Sequence, residues 1–220
     1  MQPDGKVSIG SYPLVYPIPV VLAGANVAGM PNYETLGNCA IGGFNPGLVI
    51  ISSVRTHDTN QGIRENGTFS VNFPTQAMRE VTDFCGIASG RRYDKGSLFA
   101  NFYGELGTAP MIAECPVNLE CKVLHTYEHA QMEIFTGLVV NAFVDRQFAT
   151  WVEPPVAEEQ KEEKADAPPE ATGRWVFSRA SLPELAPLIY HLDYRYYAIG
   201  KATGQGFRDG KGVYCAERLR

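Results

Sequence analysis

Ser53, Arg55 and Thr59 lie close together, after an apolar run and at the entrance to a short helical pattern. Two hydroxyls, a guanidinium and the free amides of a first helical turn are groups that can converge on one phosphate. Arg55 would serve equally well as a surface partner for an acid, so spacing alone leaves both readings open. Other motifs carry less chemistry. Gly24-Ala-Asn-Val-Ala-Gly29 lacks the G-x-G core of a dinucleotide loop and runs into Pro31 instead of a helix. Gly206-Phe-Arg-Asp-Gly-Lys211 is one residue short of a triphosphate loop and has Gly212 where a Ser or Thr must hold magnesium. His57, His125, His129 and His191 are scattered, and no Ser or Cys sits in an elbow motif, so nucleophilic catalysis finds no support.

The five cysteines, Cys39, Cys85, Cys115, Cys121 and Cys215, form no C-x-x-C pair and have no histidine spacing suited to zinc. Cys115 and Cys121 read as one face of a strand, about 20 Å apart at about 3.3 Å per residue, too far to bridge. Buried thiols in a reducing, cytoplasmic compartment are the expectation. No signal-peptide layout is present at the N-terminus, where Pro13, Pro17 and Pro19 interrupt the apolar stretch.

The positioning elements follow from periodicity. Pro19 to Val27 predicts a strand that ends in a turn at Gly29 and Pro31. Leu36 to Phe44 and Leu48 to Val54 are two further runs, separated by the turn Asn45-Pro46-Gly47. Asp58 to Asn66 predicts a helix of about two turns capped by Asp58 and stopped by Gly67. Thr68 to Phe73 alternates as a half-buried strand, and Thr75 to Ile87 repeats at three and four as an amphipathic helix. Val117 to Val123 alternates, with Met132 to Val144 as its antiparallel partner across a polar turn near Glu128 and His129. Strands outnumber helices without a strand-helix-strand repeat, which favours a closed barrel with appended helices.

The chain has 220 residues and a net charge of −5, from 19 Lys plus Arg and 24 Asp plus Glu. That balance argues against nucleic acid, and no apolar window is long enough to span a membrane. Residues 1–220 read as one domain. From Glu153 to Gly173, seven acids face two bases between paired prolines. This acidic, proline-rich insertion at 153–173 reads as a solvated excursion, with a docking surface for a cationic partner as the alternative.

Several segments carry a likeness when taken in order: Tyr16-Pro-Ile-Pro-Val-Val-Leu, Gly29-Met-Pro-Asn32-Tyr-Glu-Thr35, Ile51-Ser-Ser53-Val-Arg55, Thr59, Phe69-Ser-Val-Asn72-Phe-Pro74 and Phe84-Cys-Gly-Ile-Ala-Ser89-Gly90-Arg-Arg-Tyr-Asp94-Lys95. Over residues 16–96 the chain resembles the flavoredoxin and flavin reductase-like family of FMN-binding split barrels. Ala109-Pro-Met-Ile and Leu119-Glu-Cys-Lys-Val extend the likeness to roughly residue 145. The resemblance implies a mainly β, antiparallel Greek-key split β-barrel with a few appended α-helices. It also implies bound FMN, held along Asn32, Tyr33, Glu34, Thr35, Leu36, Gly37 and Asn38, with Ser52, Ser53, Val54, Arg55, Thr59 and Ser89 nearby. Lys95 joins the phosphate donors as a second cation, and Thr35 meets the polar edge of the ring. Tyr194, Tyr196 and Tyr197 either border a flavin or simply pack.

No metal and no catalytic acid or base is expected. The implied function is an NAD(P)H-dependent flavin or ferric reductase that passes hydride to bound FMN and on to an acceptor. The alternative is a flavoredoxin-type FMN carrier exchanging electrons with protein partners, and a barrel without flavin is the bland reading. A homodimer with each flavin near the interface is the implied assembly.

Overall fold

A computed structural model of the chain describes residues 5–11, 13–15, 17–153, 173–177, 185, 187, 189–191 and 195–197. Strands β1 (Ile18–Pro19), β2 (Val21–Val27), β3 (Met30–Leu36), β4 (Cys39–Phe44) and β5 (Gly47–Val54) lead into helix α1 (Asp58–Asn66). Strand β6 (Thr68–Phe73), helix α2 (Arg79–Ile87) and the short β7 (Asn101–Phe102) and β8 (Met111–Ile112) follow. Two long strands, β9 (Val117–His129) and β10 (Met132–Val144), form a hairpin. β11 (Ala149–Val152) pairs with β12 (Arg174–Phe177), while β13 (Ile189–His191) lies between β1 and β14 (Arg195–Tyr197). Tyr16, Tyr194, Cys215, the 206–211 loop and positions 154–172 of the acidic insertion lie outside the described residues.

Seven antiparallel strands form one sheet in the order β3-β2-β6-β9-β10-β5-β4. Its edge strands β3 and β4 are separated in sequence only by Gly37 and Asn38, so one chain segment carries the sheet from one edge round to the other. The Ser52 amide donates to the Asn38 carbonyl at 3.0 Å and fastens that crossing. The result is the mainly β, antiparallel split barrel with two α-helices that the sequence predicts.

Three details differ from expectation. The residues expected to turn, Met30 to Asn32, open β3; proline is tolerated there because β3 is an edge strand, where a missing amide breaks few ladder bonds. The predicted helix from Thr75 divides into a 3₁₀ turn, Gln76–Met78, and α2 proper. Cys115 lies before β9, in a turn where its amide donates to the Ile112 carbonyl at 3.1 Å, so it shares no strand with Cys121.

β2 is buried on both faces because two apolar clusters meet across it. Val21, Ala23 and Ala25 point into the barrel with Ile51, Phe69, Val71 and Phe135, whereas Leu22 joins Tyr33, Cys85, Phe99 and Ile112 on the side of α2. α1 sends Ile63 into the barrel cluster and packs its Gly62 against the backbone of Asn26. Its C-cap Gly67 has φ 65°, the left-handed geometry that glycine adopts without strain. A Cβ at position 62 would overlap the Asn26 carbonyl. Gly62→Ala is therefore expected to cost about 1–3 kcal/mol, the range for overpacking. An unchanged urea midpoint would refute that close approach.

Candidate functional site

Four local structures converge beside the barrel. β3 contributes Glu34 and Thr35, the entry to α1 contributes Thr56 to Thr59, the end of α2 contributes Cys85 to Gly90, and Lys95 follows. They enclose a cleft of about 170 Å³. A wider depression of about 490 Å³ shares Asp58, Gly90 and Lys95 with it and extends past Asn32 to Arg91, Arg92 and Tyr93.

Lys95 is the cleft's cation. It is 4% exposed, and its Nζ donates to the carbonyls of Cys85 at 3.2 Å and Ala88 at 3.1 Å. Among the described residues its ammonium forms no ion pair with a carboxylate. Burial lowers its proton affinity below the ordinary lysine value, opposed by Cys85, Glu34 and Asp58. Burial likewise pushes the Cys85 thiol up to about 11, so that thiol is neutral.

Thr59 is buried in the first turn of α1, where its Oγ1 accepts from Asn32 Nδ2 at 2.8 Å and keeps its own proton to donate. The N-cap of that helix is His57, not Asp58, and no side chain caps the first turn. Asp58, beside the cleft, is paired with Arg91 Nε at 2.7 Å. Glu34 is nearly buried; its Oε2 receives Ser53 Oγ at 2.8 Å and lies 2.5 Å from His57 Nδ1, while its Oε1 has no hydrogen-bond partner. The bond to Glu34 raises the proton affinity of His57 above the ordinary histidine value.

Of the residues expected from sequence, Glu34, Thr35, Thr59, Ser89 and Lys95 line this cleft. Ser53 and Asn32 back it through Glu34 and Thr59. Thr35 Oγ1 donates to the Thr82 carbonyl of α2, so its hydroxyl proton is engaged inside the protein. Tyr33 and Leu36 are core residues, and the Tyr33 hydroxyl donates to Asn101 at 2.5 Å. Gly37, Asn38, Ser52 and Val54 do not line the cleft. Arg55 is half-exposed and pairs with Glu128 of β9 at 3.1 Å, the surface-acid arrangement that its spacing also allowed. Sequence reasoning passed over Thr56, His57 and the α2 end from Gly86 to Ala88. The legible signal for His57 was its place directly before a helix start and four residues after Ser53. No cluster of potential metal ligands occurs among the described residues.

The polar half of this arrangement suits a phosphorylated polyol. Hydroxyls, α1 amides and a buried ammonium match a phosphate, and Glu34 Oε1 has an acceptor site left over for a further donor. A family model described as a flavin reductase like domain matches residues 14–154. The chain belongs to the flavin reductase-like family. A flavin-associated redox role goes with that membership. Within the same fold, flavoredoxin from Methanosarcina acetivorans is 35% identical, with TM-score 0.78, covering 95% of this chain and 99% of that one. Flavoredoxin of Desulfovibrio vulgaris (Miyazaki F) is 26% identical, with TM-score 0.73, covering 94% of this chain and 100% of that one. An FMN-binding protein from Thermus thermophilus, 18% identical with TM-score 0.66, shares the fold over 93% of this chain and 98% of that one. No curated protein matches the chain in sequence. Among the described residues no helix is long and apolar enough to cross a membrane.

Proposed function

We propose that the chain holds FMN and works as a flavoredoxin-type electron carrier between protein partners. The observation that carries the FMN assignment is the buried Lys95 ammonium, without a carboxylate partner among the described residues, facing a small cleft with Thr59, Ser89 and the uncapped first turn of α1. Bound FMN supplies electron and hydride transfer at its ring. In this reading Lys95, Thr59 and the α1 amides hold the phosphate, and Glu34 Oε1 accepts from a ribityl hydroxyl. Arg55 is left out of the set because Glu128 engages it outside the cleft.

The carrier role is supported by the full-length similarity to a flavoredoxin at 35% identity. An NAD(P)H-dependent flavin reductase is the second reading, favoured by the family model that spans the barrel. A homodimer is part of the same proposal, testable by sedimentation of the FMN-loaded chain. The four described cysteines are free, which supports a reducing, cytoplasmic setting.

The freshly purified chain is expected to be yellow, or to become so with FMN, and mixing it with NADH or NADPH decides between the roles. Flavin bleaching within catalytic times selects the reductase; flavin that bleaches only with a protein donor selects the carrier. A chain that takes up no FMN rules out both.

A further inference from the structure

Resting on that FMN reading, the geometry points to His57 as the second cation at the phosphate, a positioning residue whose proton is held through Glu34 and makes FMN affinity depend on pH.

His57 is the N-cap of α1, with φ −70° and ψ 139°, yet its side chain makes no capping bond. The ring turns to β3 instead, where Nδ1 meets Glu34 Oε2 at 2.5 Å and Ser53 Oγ at 3.2 Å. Glu34 is 4% exposed, so its charge is poorly screened by water and strongly favours an imidazolium against it. With Nδ1 committed, Nε2 makes no hydrogen bond among the described residues, while the half-exposed ring lines the same cleft as Thr59 and Lys95. The other titratable groups facing it are Asp58, next in the chain and paired with Arg91, and Lys95 across the cleft, with the neutral Cys85 thiol beside it. Glu34 and His57 thus form a pair that presents one N–H cation to an anion and removes it when the ring loses its proton.

The sign follows from the raised proton affinity of His57. The charge is present at pH values below the ordinary 6.5 and is lost as pH rises through the raised folded value. A phosphate monoester loses its second proton with a midpoint near pH 6, so above about pH 7 the ligand's charge changes little. Alkaline loss of the Lys95 charge acts in the same direction, and a His57 variant separates the two.

The test is fluorescence titration of the full chain with FMN and with riboflavin, which lacks the phosphate, between pH 7 and 9. FMN affinity is expected to fall about tenfold over that range, and His57→Gln to weaken FMN about tenfold at pH 7, as for losing one charge-assisted hydrogen bond. His57→Gln should also flatten the slope and leave riboflavin binding unchanged. In the unsubstituted chain, the His57 titration followed by NMR should move to higher pH on adding FMN and stay in place with riboflavin. A flat FMN profile in the parent, equal losses of FMN and riboflavin in His57→Gln, or an unmoved His57 titration overturns the assignment. A parent that binds FMN and fails these tests leaves the FMN reading standing; a parent that binds neither ligand removes both.

Discussion

Lys95→Met is expected to weaken FMN binding by about ten- to hundredfold, the worth of a hydrogen bond from a charged donor, while the flavin-free chain keeps its stability within about 1 kcal/mol. Two opposed effects produce that separation. The parent ammonium is buried and donates to the Cys85 and Ala88 carbonyls at the end of α2, where the helix dipole favours a cation. Desolvation is nevertheless the larger influence, since the folded chain holds this proton less tightly than ordinary lysine. Methionine fills similar volume, loses two hydrogen bonds and removes the desolvation penalty. A flavin-free fold therefore gains and loses comparable amounts, whereas a bound phosphate only loses.

The pH dependence has a definite sign. Because folding lowers the affinity of Lys95 for its proton, the unfolded chain binds more protons in the window between the lowered value and the ordinary 10.5. Lys95 thus contributes stability that rises with pH across that window, and the parent should gain there relative to Lys95→Met. Urea midpoints of both proteins measure the difference, and fluorescence titration measures FMN. Parent-like FMN affinity in Lys95→Met would exclude Lys95 from the phosphate site.

What the sequence made legible was local. Thr68 to Phe73 alternates, and Asp58 to Asn66 carries its own apolar residue and Gly67 stop, so neither needs tertiary context to be recognised. β3 was hidden because Pro31 reads as a turn; only its position at the sheet edge makes a proline strand acceptable. In the cleft, Thr59 and Lys95 were legible from donor chemistry and family likeness. The pairing of Glu34 with His57 spans 23 residues and depends on β3 passing beside the start of α1, which no local pattern encodes. Arg55 shows the converse. Its spacing allowed either a phosphate or a surface acid, and the Glu128 it meets here is brought beside it by the reach of the β9–β10 hairpin, which no local pattern encodes.

The support beneath the cleft gives the largest expected loss of stability. Glu133 of β10 is 1% exposed and lies opposite Ser53 in the β5–β10 register. Its Oε2 accepts from Asn60 Nδ2 at 2.8 Å and Arg64 Nη1 at 2.5 Å, both on α1. Asn60 is fully buried and also donates to the Val54 carbonyl at 3.2 Å, so the carboxylate binds the helix to β10 and to the end of β5 that carries Ser53. Glu133→Leu deprives both donors of their acceptor. Breaking a buried pair costs about 3–5 kcal/mol, reduced here to roughly 2–4 because Arg64 is half-exposed and can return to water. For a chain of this size each kcal/mol shifts Tm by about 2–4 °C, so a fall of roughly 5–15 °C is expected. Glu133→Gln keeps an acceptor for Asn60 and should recover part of the loss. Since α1 also presents Thr59 and its first-turn amides to the cleft, FMN affinity should fall with Tm, and saturating FMN should raise the variant's Tm by mass action. An unchanged Tm in Glu133→Leu would mean that packing around Ile63 and Gly62 holds α1 without the carboxylate. The same Tm loss with parent-like FMN affinity would instead detach the helix anchor from the site.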